Sequence, residues 1–136
     1  MTEKSLPVAV DAMGGDHAPD QIVEGARLAK ESGIPIVLFG TEQALDGIRD
    51  IETIYVSEVV EMDEDPGRAV RRKNDSSLIR AAEYVRDGHS AAMVSAGNTG
   101  ATMASALLRM GRLKGVARPA IATPIPTLEG DHPVIL

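Results

Sequence analysis

Apolar runs and amphipathic stretches alternate along this chain. Leu6 to Ala12 (LPVAVDA) is apolar throughout its centre, the pattern of an interior parallel strand covered on both faces. Met13 to Pro19 reads as a loop, and Pro19 with Asp20 suits the first turn of a helix running to Glu31. Ile22, Val23, Ala26 and Ala29 face inward on that helix, while Glu24, Arg27 and Glu31 form its wet side. Ser32-Gly33 ends it. Ile34 to Phe39 is the second strand, Thr41 caps a short helix from Glu42 to Ile48, and Thr53 to Val56 is a third strand.

The next section is more polar. Ser57 to Asp65 ends in the acidic run Glu61-Met62-Asp63-Glu64-Asp65, read as a solvated loop. Pro66 to Lys73 (PGRAVRRK) opens as a helix, and Asn74 to Ser77 breaks it. Asp75 or Ser76 then caps a helix to Asp87, with Leu78, Ala81, Ala82 and Val85 on one stripe and Gly88 at its end. Ala91 to Ser95 is the central strand, Ala96-Gly97-Asn98-Thr99-Gly100 a small flexible turn, and Ala101 to Met110 a helix apolar on nearly every side. Pro119 to Thr123 is a further strand and Pro124 to Asp131 a loop. This alternation of β and α elements predicts a three-layer α/β/α fold with a mostly parallel sheet. Leu6–Ala12, Ile34–Phe39 and Ala91–Ser95 are expected as neighbouring parallel strands, buried on both faces.

The 136 residues suffice for one domain with a core, and with only 2% aromatic residues that core must be built from Val, Ile, Leu, Met and Ala. The absence of cysteine excludes disulfides and thiolate zinc sites. His17, His89 and His132 are too isolated to suggest a metal site. The net charge of -6 is uneven: residues 1–65 carry a net -11 and residues 66–136 a net +5. The acidic half argues against a nucleic-acid surface, whereas the basic half suits a phosphate, an acidic partner or simply solvent. Pro133-Val134-Ile135-Leu136 ends the chain on an apolar run of strand type, which reads as a fragment, or a partly processed chain, that more protein once followed.

Three stretches end strands or precede helices, and a parallel sheet gathers such stretches on one edge. Asp11, Gly14, Gly15, Asp16 and His17 form the first; Asp11 there either holds a loop through its N–H groups or takes part in chemistry. Arg71, Arg72, Lys73, Ser76 and Ser77 form the second, either an oxyanion cradle of cations and hydroxyls or a basic loop followed by a helix cap. The third is Gly97, Asn98, Thr99 and Gly100, where backbone N–H groups meet a helix start. It matches neither the P-loop nor the dinucleotide fingerprint, and neither Ser95 nor Ser105 sits in a nucleophile elbow. Attack by inorganic phosphate needs no protein nucleophile.

Four motifs in order carry a resemblance: Asp11-Ala12-Met13-Gly14-Gly15-Asp16 with Ala18-Pro19, Lys73 with Ser76-Ser77, Ser95 through Ala101 (SAGNTGA), and Arg118-Pro119-Ala120. Together they resemble the bacterial phosphate acyltransferases of phospholipid synthesis, from Val10 to the last residue; the match departs at His17. The resemblance implies a phosphotransacetylase-like, isocitrate-dehydrogenase-like, Rossmann-like fold, with this chain as its N-terminal portion and inactive alone. It implies conversion of acyl-[acyl carrier protein] and inorganic phosphate to acyl phosphate and free carrier protein, with no cofactor and no metal. It further implies a cytoplasmic homodimer, peripherally associated with the membrane through residues absent here, that feeds a glycerol-3-phosphate acyltransferase. The residues alone leave two alternatives open, a related enzyme using acyl-coenzyme A and a non-catalytic α/β scaffold.

Overall fold

The computed structural model describes residues 5–127 and 134–135. In chain order the elements are β1 (Val8–Asp11), α1 (Asp20–Glu31), β2 (Ile36–Thr41), α2 (Glu42–Leu45), β3 (Glu52–Val56), α3 (Pro66–Arg72), α4 (Ser77–Arg86), β4 (Ala92–Ser95), α5 (Thr99–Ser105) with a π-helical turn over Ala106–Met110, β5 (Thr123–Pro124) and β6 (Val134–Ile135). The main sheet runs β3-β2-β1-β4 and is parallel at every pairing. β5 and β6 form a separate antiparallel pair.

Helices cover both faces of the sheet. Val10, Leu38 and Leu45 pack with Val23 and Ala26 on the α1–α2 side. Ala9, Val37, Phe39 and Val56 pack with Ala81 of α4 on the other, where Phe39 meets Tyr84 edge-on at 5.4 Å. A third cluster joins α3, α4 and α5 through Val70, Leu78, Ile79 and Ala101. The three-layer α/β/α architecture with a parallel sheet is therefore as the alternating pattern predicts.

Several boundaries and one placement differ. The first two strands start later than their apolar runs because Pro7 and Pro35 cannot donate to the ladder; their carbonyls instead accept from Ala91 and Val8 N–H at 2.9 and 2.8 Å. α2 stops at Leu45, since Asp46 is extended and Gly47 takes φ +80°. The stripe on α4 omitted Ile79, which is fully buried, while Val85 is half-buried. Pro119–Ala122 forms no strand among the described residues; residues 111–127 are all exposed, so no packed surface covers an extended segment there.

The larger correction concerns β4, expected to be central and buried on both faces. Among the described residues it pairs with β1 alone and lies at the sheet edge. Val94 stands beside Val10 in register but is 54% exposed, facing an open groove that it shares with Ile22, Gly25 and Ala26 of α1. Met93, on the opposite face, is packed against α4 and α5. A uniformly apolar strand reads alike at a sheet's centre and at an edge.

The helix predicted over Ala101–Met110 begins at Thr99, where Asn98 supplies the cap. It widens into the π turn after Ser105. Thr102 Oγ1 donates to the Asn98 carbonyl at 3.1 Å and Ser105 Oγ to the Thr102 carbonyl at 2.8 Å. Such side-chain bonds to helix carbonyls bend helices and loosen the ladder that follows.

Candidate functional site

β1 and β4 are parallel neighbours in register, so their last residues, Asp11 and Ser95, stand side by side. The two glycine loops that follow therefore leave the same edge of the sheet. Asp11 is 4% exposed. Its Oδ1 accepts from Met13 N–H at 3.1 Å and its Oδ2 from the Ser95 hydroxyl at 2.7 Å. Ser95 Oγ in turn accepts from Gly97 N–H at 3.2 Å. One buried carboxylate thus fixes both loops.

The loops touch through glycine backbone. A Cβ on Gly14 would lie 2.6 Å from Asp11 Oδ2, 2.7 Å from Ser95 Oγ and 2.9 Å from Gly97 N. Gly15 adopts φ +124°, a conformation L side chains rarely take. Gly100 lies against the ring of Pro66, whose Cγ would be 2.7 Å from a Cβ there. α3 therefore starts at the turn, where Asp65 caps it by accepting from Arg68 N–H at 2.8 Å and Pro66 occupies the first turn.

Asn98 is the hub of the turn. Its Oδ1 accepts from Ala101 N–H at 3.0 Å, capping α5. Its Nδ2 reaches the carbonyls of Met62 at 3.2 Å and Glu64 at 3.0 Å, with Glu61 at 3.5 Å. The acidic run expected as a solvated loop is consequently tied to the glycine turn. Glu64 Oε1 also accepts from Glu61 N–H at 3.0 Å and is paired with Lys73, whose ammonium donates to the Val59 carbonyl at 2.6 Å. The Lys73 hydrogen bond, then the Glu61 N–H, hold the Glu64 carboxyl below the usual carboxylate range.

The remaining sequence candidates divide. Ser76 is fully buried and caps α4, accepting from Ile79 N–H at 3.4 Å; Ser77 beside it is also buried. Asp75 instead binds the Ser57 hydroxyl at 2.7 Å and Ser57 N–H at 2.9 Å. Arg72, Asp16 and His17 are exposed. Lys73 and the Gly97–Gly100 turn meet the same residue: Glu64 takes the ammonium on its carboxylate and the Asn98 amide on its carbonyl. Sequence reasoning did not identify Glu64, nor Ser95 as the link between loops. Pro66 was legible as a helix start, but the Asp65 cap and the contact of Pro66 with Gly100 were not.

From Ser95, Gly97 and Thr99 a cavity of about 450 Å³ runs along Met103, Ala106 and Leu107 towards Leu113, Val116 and Ile121. Ser95, Gly97, Thr99 and Thr102 make one end polar, and the remaining lining is mostly apolar, a composition common to small-molecule sites. Among the described residues there is no group of three or more His, Asp or Glu positioned to hold a metal ion. No helix there is long and apolar enough to cross a membrane.

Comparison with known proteins places this geometry in context. The model of a family described as fatty acid synthesis protein matches residues 6–136. The chain is 50% identical over 143 residues to a phosphate acyltransferase of Anaeromyxobacter sp. (strain Fw109-5), covering 96% of this chain and 39% of that protein. It is 47% identical over 133 residues to one from Leuconostoc citreum (strain KM20), covering 93% and 38%. It is 49% identical over 137 residues to one from Geobacillus thermodenitrificans (strain NG80-2), covering 96% and 42%. The chain thus spans about two fifths of the length of these relatives.

Proposed function

This chain belongs to the fatty acid synthesis protein family, and we propose that it forms the phosphate-handling part of an acyltransferase. In that reaction an oxygen of inorganic phosphate attacks the thioester carbonyl of acyl-[acyl carrier protein]. The tetrahedral intermediate expels the carrier's thiolate, which takes up a proton, and leaves acyl phosphate. The relatives named phosphate acyltransferase support this reading. The observation that carries it is the Asp11–Ser95–Gly97 link, which holds two glycine loops against each other at the carboxyl edge of a parallel sheet.

Such a reaction demands positioning of phosphate and donors where charge builds on the carbonyl oxygen. The Asn98, Thr99 and Gly100 N–H groups precede the first bonds inside α5, so they are the donors assigned to the anion. Gly14, Gly15 and Asp16 form the facing wall, with Gly14 and Gly97 letting backbone approach where a Cβ would intrude. Asp11 acts through Ser95 by fixing the loops. Lys73 acts through Glu64, and Ser76 and Ser77 anchor the helix behind it. Arg72, exposed on α3, adds positive charge at the rim.

The acyl phosphate is a reactive anhydride and suits immediate use by a glycerol-3-phosphate acyltransferase. A homodimer in the cytoplasm, held peripherally at the membrane by residues outside this sequence, completes the proposal. Its test uses the full-length protein with acyl carrier protein thioester and phosphate, trapping product as the hydroxamate with hydroxylamine. Phosphate-dependent hydroxamate is the expected result. Product from acyl-coenzyme A but not from the carrier thioester reassigns the substrate, and product from neither overturns the reading.

A further inference from the structure

Arg68, Arg71 and Arg72 occupy positions i, i+3 and i+4 of α3, hence one face of the helix. All three are exposed, while Ala69 and Val70 on the opposite side are buried in the α3–α4–α5 cluster. Four other arginines and one lysine take part in ion pairs among the described residues, namely Arg27, Arg80, Arg86, Arg109 and Lys73 with their carboxylates. Among the described residues these three arginines make no ion pair with a carboxylate. They line a shallow depression of about 340 Å³ with Gly67 and Asp65.

Placement gives this face its meaning. Pro66 begins α3 against Gly100, so Arg68 follows by two residues the point where α3 touches the turn assigned to phosphate. We infer that the Arg68–Arg71–Arg72 face of α3 docks an acidic protein surface, that of the carrier delivering the acyl group. The inference rests on the acyl carrier reading above. Guanidinium groups favour paired carboxylates through their two-pronged geometry, and their planar fork loses less freedom per hydrogen bond formed than a lysine ammonium does. The surroundings favour a compact acidic patch over an extended anionic surface. Glu61, Asp63 and Asp65 lie just before the helix and would meet an extended anionic surface such as a lipid bilayer or nucleic acid, whereas a small acidic face can engage the three arginines without reaching them.

The test is Arg68→Glu with Arg71→Glu in the full-length protein, assayed with carrier thioester and phosphate varied separately. KM for the carrier thioester should rise about tenfold or more at low ionic strength, kcat and KM for phosphate should stay within about twofold, and the gap should narrow as salt is added. Calorimetric titration of the unacylated carrier against wild type and variant reads the same surface without turnover, so absent product with intact binding indicts only the proposed reaction. Arg68→Gln with Arg71→Gln repeats the measurement should the charge reversal fail to fold. Unchanged carrier affinity in the folded variants overturns the inference. So does unchanged carrier affinity accompanied by lost binding to vesicles of anionic phospholipid, which assigns the face to a membrane.

Discussion

Gly14 and Gly97 meet backbone to backbone: a Cβ on Gly97 would stand 2.9 Å from Gly14 Cα, and one on Gly14 would stand 2.9 Å from Gly97 N. They lie on loops separated by most of the sheet's sequence, yet parallel pairing of β1 with β4 brings them together. Gly14→Ala should cost about 1–3 kcal/mol, since the new methyl meets a carboxylate, a hydroxyl and a backbone amide that hold one another in place. Gly25→Ala is the control. Nothing lies within 4 Å of its Cβ position in α1, and removing a helix glycine should stabilise by roughly 0.5–1 kcal/mol. Urea denaturation of both variants checks the opposite signs.

Ser95→Ala tests the link beneath those glycines. It deletes the hydroxyl that donates to Asp11 Oδ2 and accepts from Gly97 N–H. A carboxylate oxygen buried without its donor costs on the order of 1–3 kcal/mol. Asp11→Ala with Ser95→Ala should cost less than the two single changes added together, because each single change already removes the same interaction. A double-mutant cycle by chemical denaturation reads the coupling; strict additivity would show that the 2.7 Å contact carries no energy.

How far the sequence led depends on the kind of contact. The three-layer fold was legible because strand and helix periods are local, and Val23, Ala26, Leu78 and Ala81 are buried as their spacing implies. The exposure of Val94 was not, since it depends on which strand lies beyond β4 and a strand's own residues do not encode that. Within the site, Asp11, Gly14 and Gly97 stood out as strand-end and glycine positions. The partnership of Ser95 with Asp11, 84 residues apart, and of Asn98 with three carbonyls of the acidic loop is long-range and carries no spacing signal.

Asn98 performs two separable tasks, which substitution divides. Asn98→Ser keeps an oxygen able to cap α5 but removes the amide that reaches Met62 and Glu64. Asn98→Ala removes both. Amide hydrogen exchange should quicken over residues 61–64 in both variants, and at the start of α5 only in the alanine variant. Loss of the cap should add about 1 kcal/mol to the cost of the alanine change. Equal protection of the 61–64 loop in wild type and Asn98→Ser would show that the amide does not hold it.

Lys73 and Glu64 give the molecule a defined response to acid. The pair is about three-quarters removed from solvent, and Lys73 also serves the Val59 carbonyl. The Glu64 carboxyl is held below its ordinary value of 4.5, first by the Lys73 hydrogen bond and then by the Glu61 N–H. A carboxyl depressed on folding contributes stability that is fully present above its unfolded pKa and is lost as pH falls through the folded one. This contribution should therefore be complete at neutral pH and decline below about pH 4.5. Lys73→Met removes the cation while keeping the aliphatic stem. It should cost roughly 1–3 kcal/mol at pH 7, the scale of a charge-assisted hydrogen bond, and less on acidification, as protonation of Glu64 removes the ion pair and leaves only the Val59 carbonyl without its donor. The difference between wild-type and variant stability, followed by urea titration from pH 7 to pH 3, should shrink on acidification. Because Glu64 also takes the Asn98 amide on its carbonyl, the same change in the full-length protein should raise KM for phosphate while leaving the melting temperature well above assay conditions. A pH-independent stability difference would show that the pair is not what lowers the carboxyl, and an unchanged phosphate KM would separate Lys73 from the glycine turn.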